Sequence, residues 1–224
     1  MNKMLGYLKN LFSVLLLLFR GSNLTKPFSV DIKGNLKIGK EVTIGKNVIF
    51  DGDVVIENNV NIENNCLIKD SVLRSGCLIK SFSLIESSEV GSKSFVGPFA
   101  RVRGGSSLGD NCQIGNFVEI KESIISSSCR VNHMAFLGNA TLEDDVTIGA
   151  GTITCNHNGL EIKKTFIGKG AYVGSNVNLV APITIGPFST IGSGSTITES
   201  VKDNKLTLAR SRQVTIDDWN GPKK

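Results

Sequence analysis

From residue 38 an apolar side chain returns every six positions: Ile38, Ile44, Phe50, Ile56, Ile62 and Ile68. The phase slips to five and resumes at Leu73, Ile79 and Ile85. It slips again to Val90, then runs Val96, Val102, Leu108, Ile114 and Ile120. Ile125, Val131, Leu137, Leu142 and Ile148 follow. After a longer interval come Ile167, Val173, Leu179, Ile185, Ile191 and Ile197. Gly often follows the apolar residue, and a small or β-branched residue sits four places on. A six-residue period fits neither an amphipathic helix nor a simple alternating strand. It fits a coil with three short flat faces, one hexapeptide per face, with the aliphatic residue pointing inward at each corner. Eighteen residues then make one coil, and coils stack about 4.8 Å apart by parallel strand pairing. Residues 36–201 predict roughly nine coils and a prism about 45 Å tall.

Three segments break this pattern. Residues 154–164 (TCNHNGLEIKK) fall in the long interval and read as a loop leaving the prism wall, where function tends to reside. After Val201 the sequence KDNKLTLARSRQVTIDDWNGPKK abandons the period and reads as a tail that packs elsewhere, with Trp219 as its anchor. At the start, MNKMLGYLKNLFSVLLLLFR carries an apolar core over residues 11–19. This is well short of the roughly 20 residues needed to span a bilayer. Three readings stand for it: a helix that packs on a neighbouring subunit or frays, a helix in peripheral contact with a membrane through residues 1–20, or a cleaved signal. The expected organisation is residues 1–32 as hydrophobic helix and linker, 33–201 as prism, and 202–224 as tail.

Composition narrows the function. Aromatics make up 6% of the 224 residues while Gly numbers 24, which suits thin regular layers. The net charge of +5 is spread among interspersed acids and bases, fitting a small anionic ligand rather than nucleic acid, for which clustered Lys/Arg with aromatics between them is expected. Of five Cys, four (Cys66, Cys77, Cys112 and Cys129) lie four residues after an aliphatic position and read as small core residues. With no CxxC and an odd count, a reduced, cytoplasmic setting is expected.

Candidate chemistry concentrates in residues 96–165. This run holds VGPFARVRGG, GNFVEIK, VNHMAFLGNA and IGAGTITCNHNGLEIKKT, and with them Arg103, Lys121, His133, Asn156 and Lys164. One base, cations and an amide in so short a run suggest a site. Taken alone, His133 could be structural, Arg103 and Lys121 solvated charges, and Asn156 a turn cap. A metal site joining His157 to His133 lacks a carboxylate or Cys at recognisable spacing.

VGPFARVR, IGNFVEIK, GAGTITCN and LVAPITIG resemble the acetyltransferase domain of the bacterial bifunctional N-acetylglucosamine-1-phosphate uridyltransferase/glucosamine-1-phosphate acetyltransferases. The resemblance runs from about Lys33 to Lys224. It implies an all-β fold, a left-handed parallel β-helix, although parallel crossovers are ordinarily right-handed. It implies a homotrimer in which acetyl-CoA lies between neighbours and the tail of one subunit completes a neighbouring site. Residue by residue, it implies His133 as general base and Asn156 beside the reacting amine. Arg103 and Lys121 would hold the sugar phosphate, and Ala150, Ser175, Ser193 and Arg210 would contact CoA. Four positions depart from the family pattern. Phe136 and His157 stand where the family has tyrosine, Thr147 where it has asparagine, and Ile162 where it has a phosphate-binding lysine, with Lys163 adjacent. The family's uridyltransferase half has no counterpart in these residues, and no uridyl transfer is expected of them.

The expectation is therefore an acetyl-CoA-dependent N-acetyltransferase that needs no metal. Its acceptor would be a phosphorylated amino sugar, glucosamine 1-phosphate first among them, for UDP-N-acetylglucosamine and the cell envelope. Phe136, Thr147 and Lys163 would shape the acceptor pocket. A different, nucleotide-linked amino sugar is the alternative acceptor, and a non-catalytic trimeric scaffold the alternative of another class.

Overall fold

The computed structural model describes residues 2–19 and 21–217. The hexapeptides wind into a three-sided parallel coil. On the first face eleven short parallel strands stack in one sheet, from Asn23–Leu24 at the bottom to Leu206–Thr207 at the top. The other two faces form a single 17-stranded sheet. The eight-residue strands Asp31–Ile38 and Ile49–Ile56 run through the corner between them without a break.

Parallel register stacks each inward residue on its like. On the first face Ile62, Ile79, Val96, Ile114, Val131 and Ile148 pair in sequence, each fully or almost fully buried. Each such side chain contributes about 1.5–3 kcal/mol on burial, and the coils stabilise one another as nearest neighbours. Cys66, Cys77, Cys112 and Cys129 are buried free thiols within this core, as their spacing predicts.

The coil is longer than the periodic stretch. Leu24 pairs with Ile44 across twenty residues instead of eighteen, and the topmost strand places Thr207 above Ile191. At both ends the backbone keeps pairing after the six-residue apolar signal has faded. The chain also follows the prism past Val201: Thr190 donates its N–H to the Lys205 carbonyl and Thr196 to the Ala209 carbonyl. It leaves the wall only after Arg210, and Trp219 lies outside the described residues.

The loop is shorter than its pattern suggests. Thr154 takes the inward position above Leu137 and below Leu179 and is buried. Its hydroxyl accepts from the Gly138 N–H at 2.8 Å, so a polar residue fills an aliphatic site because its oxygen is satisfied. The excursion begins at Asn156.

The amino-terminal helix α1 (Asn2–Phe19) closes the bottom of the prism. Val14 and Leu17 are buried in the core. The Asn10 amide donates to the Val30 carbonyl at 3.1 Å and accepts from the Ile32 N–H at 2.8 Å, tying the helix to the lowest coil. Open strand edges invite pairing with other chains, and a capping helix suppresses it.

Candidate active site

His133 ends the strand Arg130–His133 at the corner between the first and second faces. Met134, held at φ 51°, turns the chain onto the next strand, Phe136–Gly138. The imidazole is exposed. Its Nδ1 lies 2.7 Å from Oδ1 of Asn116, one coil below in strict register. A carboxamide oxygen only accepts, so this contact suits an imidazole that donates from Nδ1 and leaves Nε2 as the ring nitrogen free to face a ligand. Asn116 thus positions the candidate base. The sequence reading missed it, although it lies within the motif IGNFVEIK and one coil-length before His133, a signal that folding the repeat would have exposed.

Above His133 the column continues through Ala150, Ser175 and Ser193. The N–H of each following corner residue reaches down one coil: Gly151 to the His133 carbonyl, Asn176 to Ala150 and Gly194 to Ser175, at 2.7–3.0 Å. Ser193 has no such corner above it, and its carbonyl accepts from the Arg210 guanidinium at 2.9 Å. Beside the column run Gly149, Gly174 and Gly192. A Cβ on Gly174 would meet the Ser193 amide nitrogen at 2.6 Å, so a side chain there is excluded. The result is a smooth strip of small residues, about 14 Å from His133 to Ser193 at three coil steps, with a cation at its end. Arg210 also lines an open groove of about 530 Å³ with Leu208, Ser211, Arg212 and Gln213. Ala150, Ser175, Ser193 and Arg210 therefore share one edge of the prism with the base, although the five residues are dispersed over 78 positions.

The second face carries the other group. Arg103 and Lys121 pair in register, and Gly138 sits above Lys121. Phe136 and Asn156 lean over Gly138: a Cβ there would meet Phe136 Cζ at 2.7 Å and Asn156 Nδ2 at 2.8 Å. Asn156 donates to Oδ1 of Asn139 at 2.6 Å, and Asn139 donates in turn to Glu122 at 2.9 Å. Each cation has a carboxylate partner. Arg103 Nε bonds Glu119 at 2.6 Å, and Lys121 Nζ lies 3.3 Å from Glu122. The Asn139 amide and, after it, the Lys121 ammonium hold the Glu122 carboxyl below its ordinary range. These carboxylates hold the cations in place, and an incoming phosphate must compete with them.

Not every expected residue joins this group. Thr147 lies on the first face, in register with Arg130 and Tyr172. Residues 156–163 form a small hairpin: the Lys163 N–H donates to the Asn156 carbonyl at 2.7 Å, and His157 bridges Ile162. Asn158 Oδ1 accepts from the N–H groups of Leu160 and Glu161, both at 2.9 Å, closing the turn. His157 Nδ1 accepts from Gly159, so this imidazole serves the hairpin. Lys163 is thereby anchored beside Asn156, with its ammonium 2.8 Å from Glu161.

Residues 32–115 match the family described as the GMPPB C-terminal domain, and residues 164–199 match the bacterial transferase hexapeptide of six repeats. The bifunctional protein GlmU of Herminiimonas arsenicoxydans is 41% identical over 208 residues, covering 93% of this chain and 46% of that protein. The bifunctional protein GlmU of Stenotrophomonas maltophilia is 52% identical over 129 residues, 58% of this chain and 28% of that protein. The chain thus spans less than half the length of these relatives. Among solved structures, an Arabidopsis UDP-N-acetylglucosamine acyltransferase superposes with a TM-score of 0.51 at 12% identity, covering 83% of this chain and 69% of that one. At that identity the likeness shows the fold, a left-handed parallel β-helix. The resemblance read from the four motifs is borne out: over 93% of its length the chain is similar to the bifunctional GlmU proteins, and residues 164–199 match the hexapeptide model.

Proposed function

We propose that this chain is an acyl-CoA-dependent acyltransferase of amino-sugar metabolism that moves an acetyl group from acetyl-CoA to the amine of glucosamine 1-phosphate. The product would feed UDP-N-acetylglucosamine and envelope synthesis. One observation carries the reading. A histidine with its Nδ1 proton engaged by Asn116 stands at the foot of a smooth strip that ends in Arg210, next to a face bearing Arg103 and Lys121. The strip suits an extended thioester ligand, with Arg210 toward its phosphates. Arg103 and Lys121 suit the sugar phosphate.

The chemistry follows from these placements. The acceptor amine must be neutral to attack the thioester carbonyl, and Nε2 of His133 takes its proton. The C–N bond forms as the C–S bond breaks, and the proton passes to the departing CoA sulfur. Asn156 lies on the acceptor side, over Gly138, where its carboxamide can orient the amine.

A convex prism corner cannot enclose two ligands. A homotrimer supplies the missing walls, and the tail supports this, since Leu206, Leu208, Val214 and Ile216 are all exposed on the single chain. Light scattering at three times the monomer mass is the expected result, and an active monomer would refute this part of the reading.

A second acceptor is favoured by a specific observation. Ile162, in the hairpin opposite His157, cannot pair with a phosphate, and Phe136 has no hydroxyl to offer a sugar. This suits a different, nucleotide-linked amino sugar. Thiol release from acetyl-CoA, measured with a panel of amino sugars, separates the readings. Release only with glucosamine 1-phosphate supports the first, and release with another sugar the second. No release with any acceptor leaves a trimeric scaffold.

A further inference from the structure

The helix α1 has two apolar sides, and the fold uses one. Val14 and Leu17 are buried against the lowest coil, with Asn10 bonded to it on the same side. Leu8, Phe12, Leu15, Leu16 and Phe19 recur at spacings of four, three, one and three, so they share the opposite side. All five are exposed, Phe12 at 64% and Phe19 at 93%. Phe28, from the turn Pro27–Ser29, adds a further exposed ring at 75% and borders a shallow cleft with Asn10, Leu11 and Val14. A soluble surface does not ordinarily present such a contiguous stripe without a partner.

Charge identifies the partner. Residues 1–30 contain Lys3, Lys9, Arg20 and Lys26, and the first acidic residue of the chain is Asp31. Because the charges of this segment of sequence are all positive, a second copy of the same segment would supply it with no opposite charge. An anionic surface meets both requirements, an apolar phase for the rings and negative charge for the flanking cations. Among the described residues no helix is long and apolar enough to cross a membrane. We propose that the outer stripe of α1 lies flat in the interface of an anionic lipid bilayer and docks the base of the prism on it. The proposal is independent of the acyltransferase reading, because the helix is at the opposite end of the coil from Arg210.

Co-sedimentation of the full chain with phosphatidylcholine vesicles and with 3:1 phosphatidylcholine–phosphatidylglycerol vesicles tests it. Binding is expected on the anionic vesicles, falling on the order of 10²-fold on the zwitterionic ones, since each cation near the surface is worth roughly a fivefold factor. The double variant Phe12→Glu/Phe19→Glu removes no core contact and should lose the binding at least about tenfold. Its circular dichroism and light-scattering mass should be unchanged. Lys9→Glu/Arg20→Glu should abolish the preference for anionic lipid. Wild-type protein left in the supernatant with both vesicles overturns the proposal, as does equal binding to both. A loss of oligomeric mass in Phe12→Glu/Phe19→Glu, with no vesicle binding by the parent, would make the stripe a subunit contact instead.

Discussion

The two sides of the His133 corner are built by different means. The strip proposed for the acyl donor is assembled from the repeat itself: small residues at equivalent positions of successive coils, bonded through backbone groups that any residue other than proline could supply. The acceptor face depends on side chains that the repeat does not require: Arg103, Lys121, Asn139, Asn156 and a hairpin inserted between two coils. A strip made of backbone tolerates drift in sequence, provided its residues stay small. A face made of side chains changes its ligand when a few of them change. Of the departures from the pattern that the resemblance implies, Phe136, His157 and Ile162 lie on that face or its hairpin, while Thr147 lies on the first face.

The largest expected effect sits at the corner that serves both sides. His133→Ala should lower turnover roughly 10² to 10⁴-fold, the usual contribution of a positioned base. Binding of acetyl-CoA, measured by calorimetry, should persist, because the strip is intact. Turnover unchanged between pH 6 and 9 would remove His133 from the chemistry.

The contrast between the sides is sharpened at Lys163. If its ammonium leaves Glu161 for the acceptor phosphate, Lys163→Ala should raise the acceptor KM about tenfold or more, the worth of a charged hydrogen bond. The KM for acetyl-CoA should not move. If Lys163 takes no part, the triple variant Phe136→Tyr, Thr147→Asn, Ile162→Lys should gain activity on glucosamine 1-phosphate. Equal kcat/KM for parent, Lys163→Ala and triple variant would show that the acceptor pocket lies elsewhere.

A smaller change is expected one coil below the base. Asn116→Ala removes the acceptor of the Nδ1 proton and frees the tautomer. Turnover should fall about three- to tenfold, matching a neutral hydrogen bond, with a shifted pH–rate profile and unaltered melting temperature. A lowered melting temperature with an unshifted profile would mean that Asn116 merely supports the coil.

The smallest effect concerns the core that carries both sides. Burial pushes the Cys66 thiol up to about 11 and Cys77 to about 12, from an ordinary value of 9.0. A raised folded value means the folded chain keeps the proton longer. The contribution is complete below pH 9 and is lost as pH rises toward 11 and 12. For Cys66 this amounts to about 2 kcal/mol by pH 11. Cys66→Ala should be less stable at pH 8 but lose less stability between pH 8 and 11. Parallel pH profiles for parent and variant would contradict the burial of that thiol.

Period and residue type determined much of this protein in advance. A six-residue recurrence leaves an aliphatic side chain only one sheltered place, the inside of a three-sided coil, so Ile114, Val131 and Cys112 were legible as core. The motifs likewise marked His133, Arg103 and Lys121. Tertiary structure decided what the period could not express. Whether Thr154 turns inward depended on the Gly138 amide one coil away, and the pairing of Asn116 with His133 depended on stacking across a shortened coil. The bond from Arg210 to Ser193 exists because the prism runs out of coils there, leaving a carbonyl that only the tail can reach. Periodicity reports where a side chain is sheltered from water. It carries no information about which polar groups from distant coils meet, because that depends on how many residues each intervening coil contains.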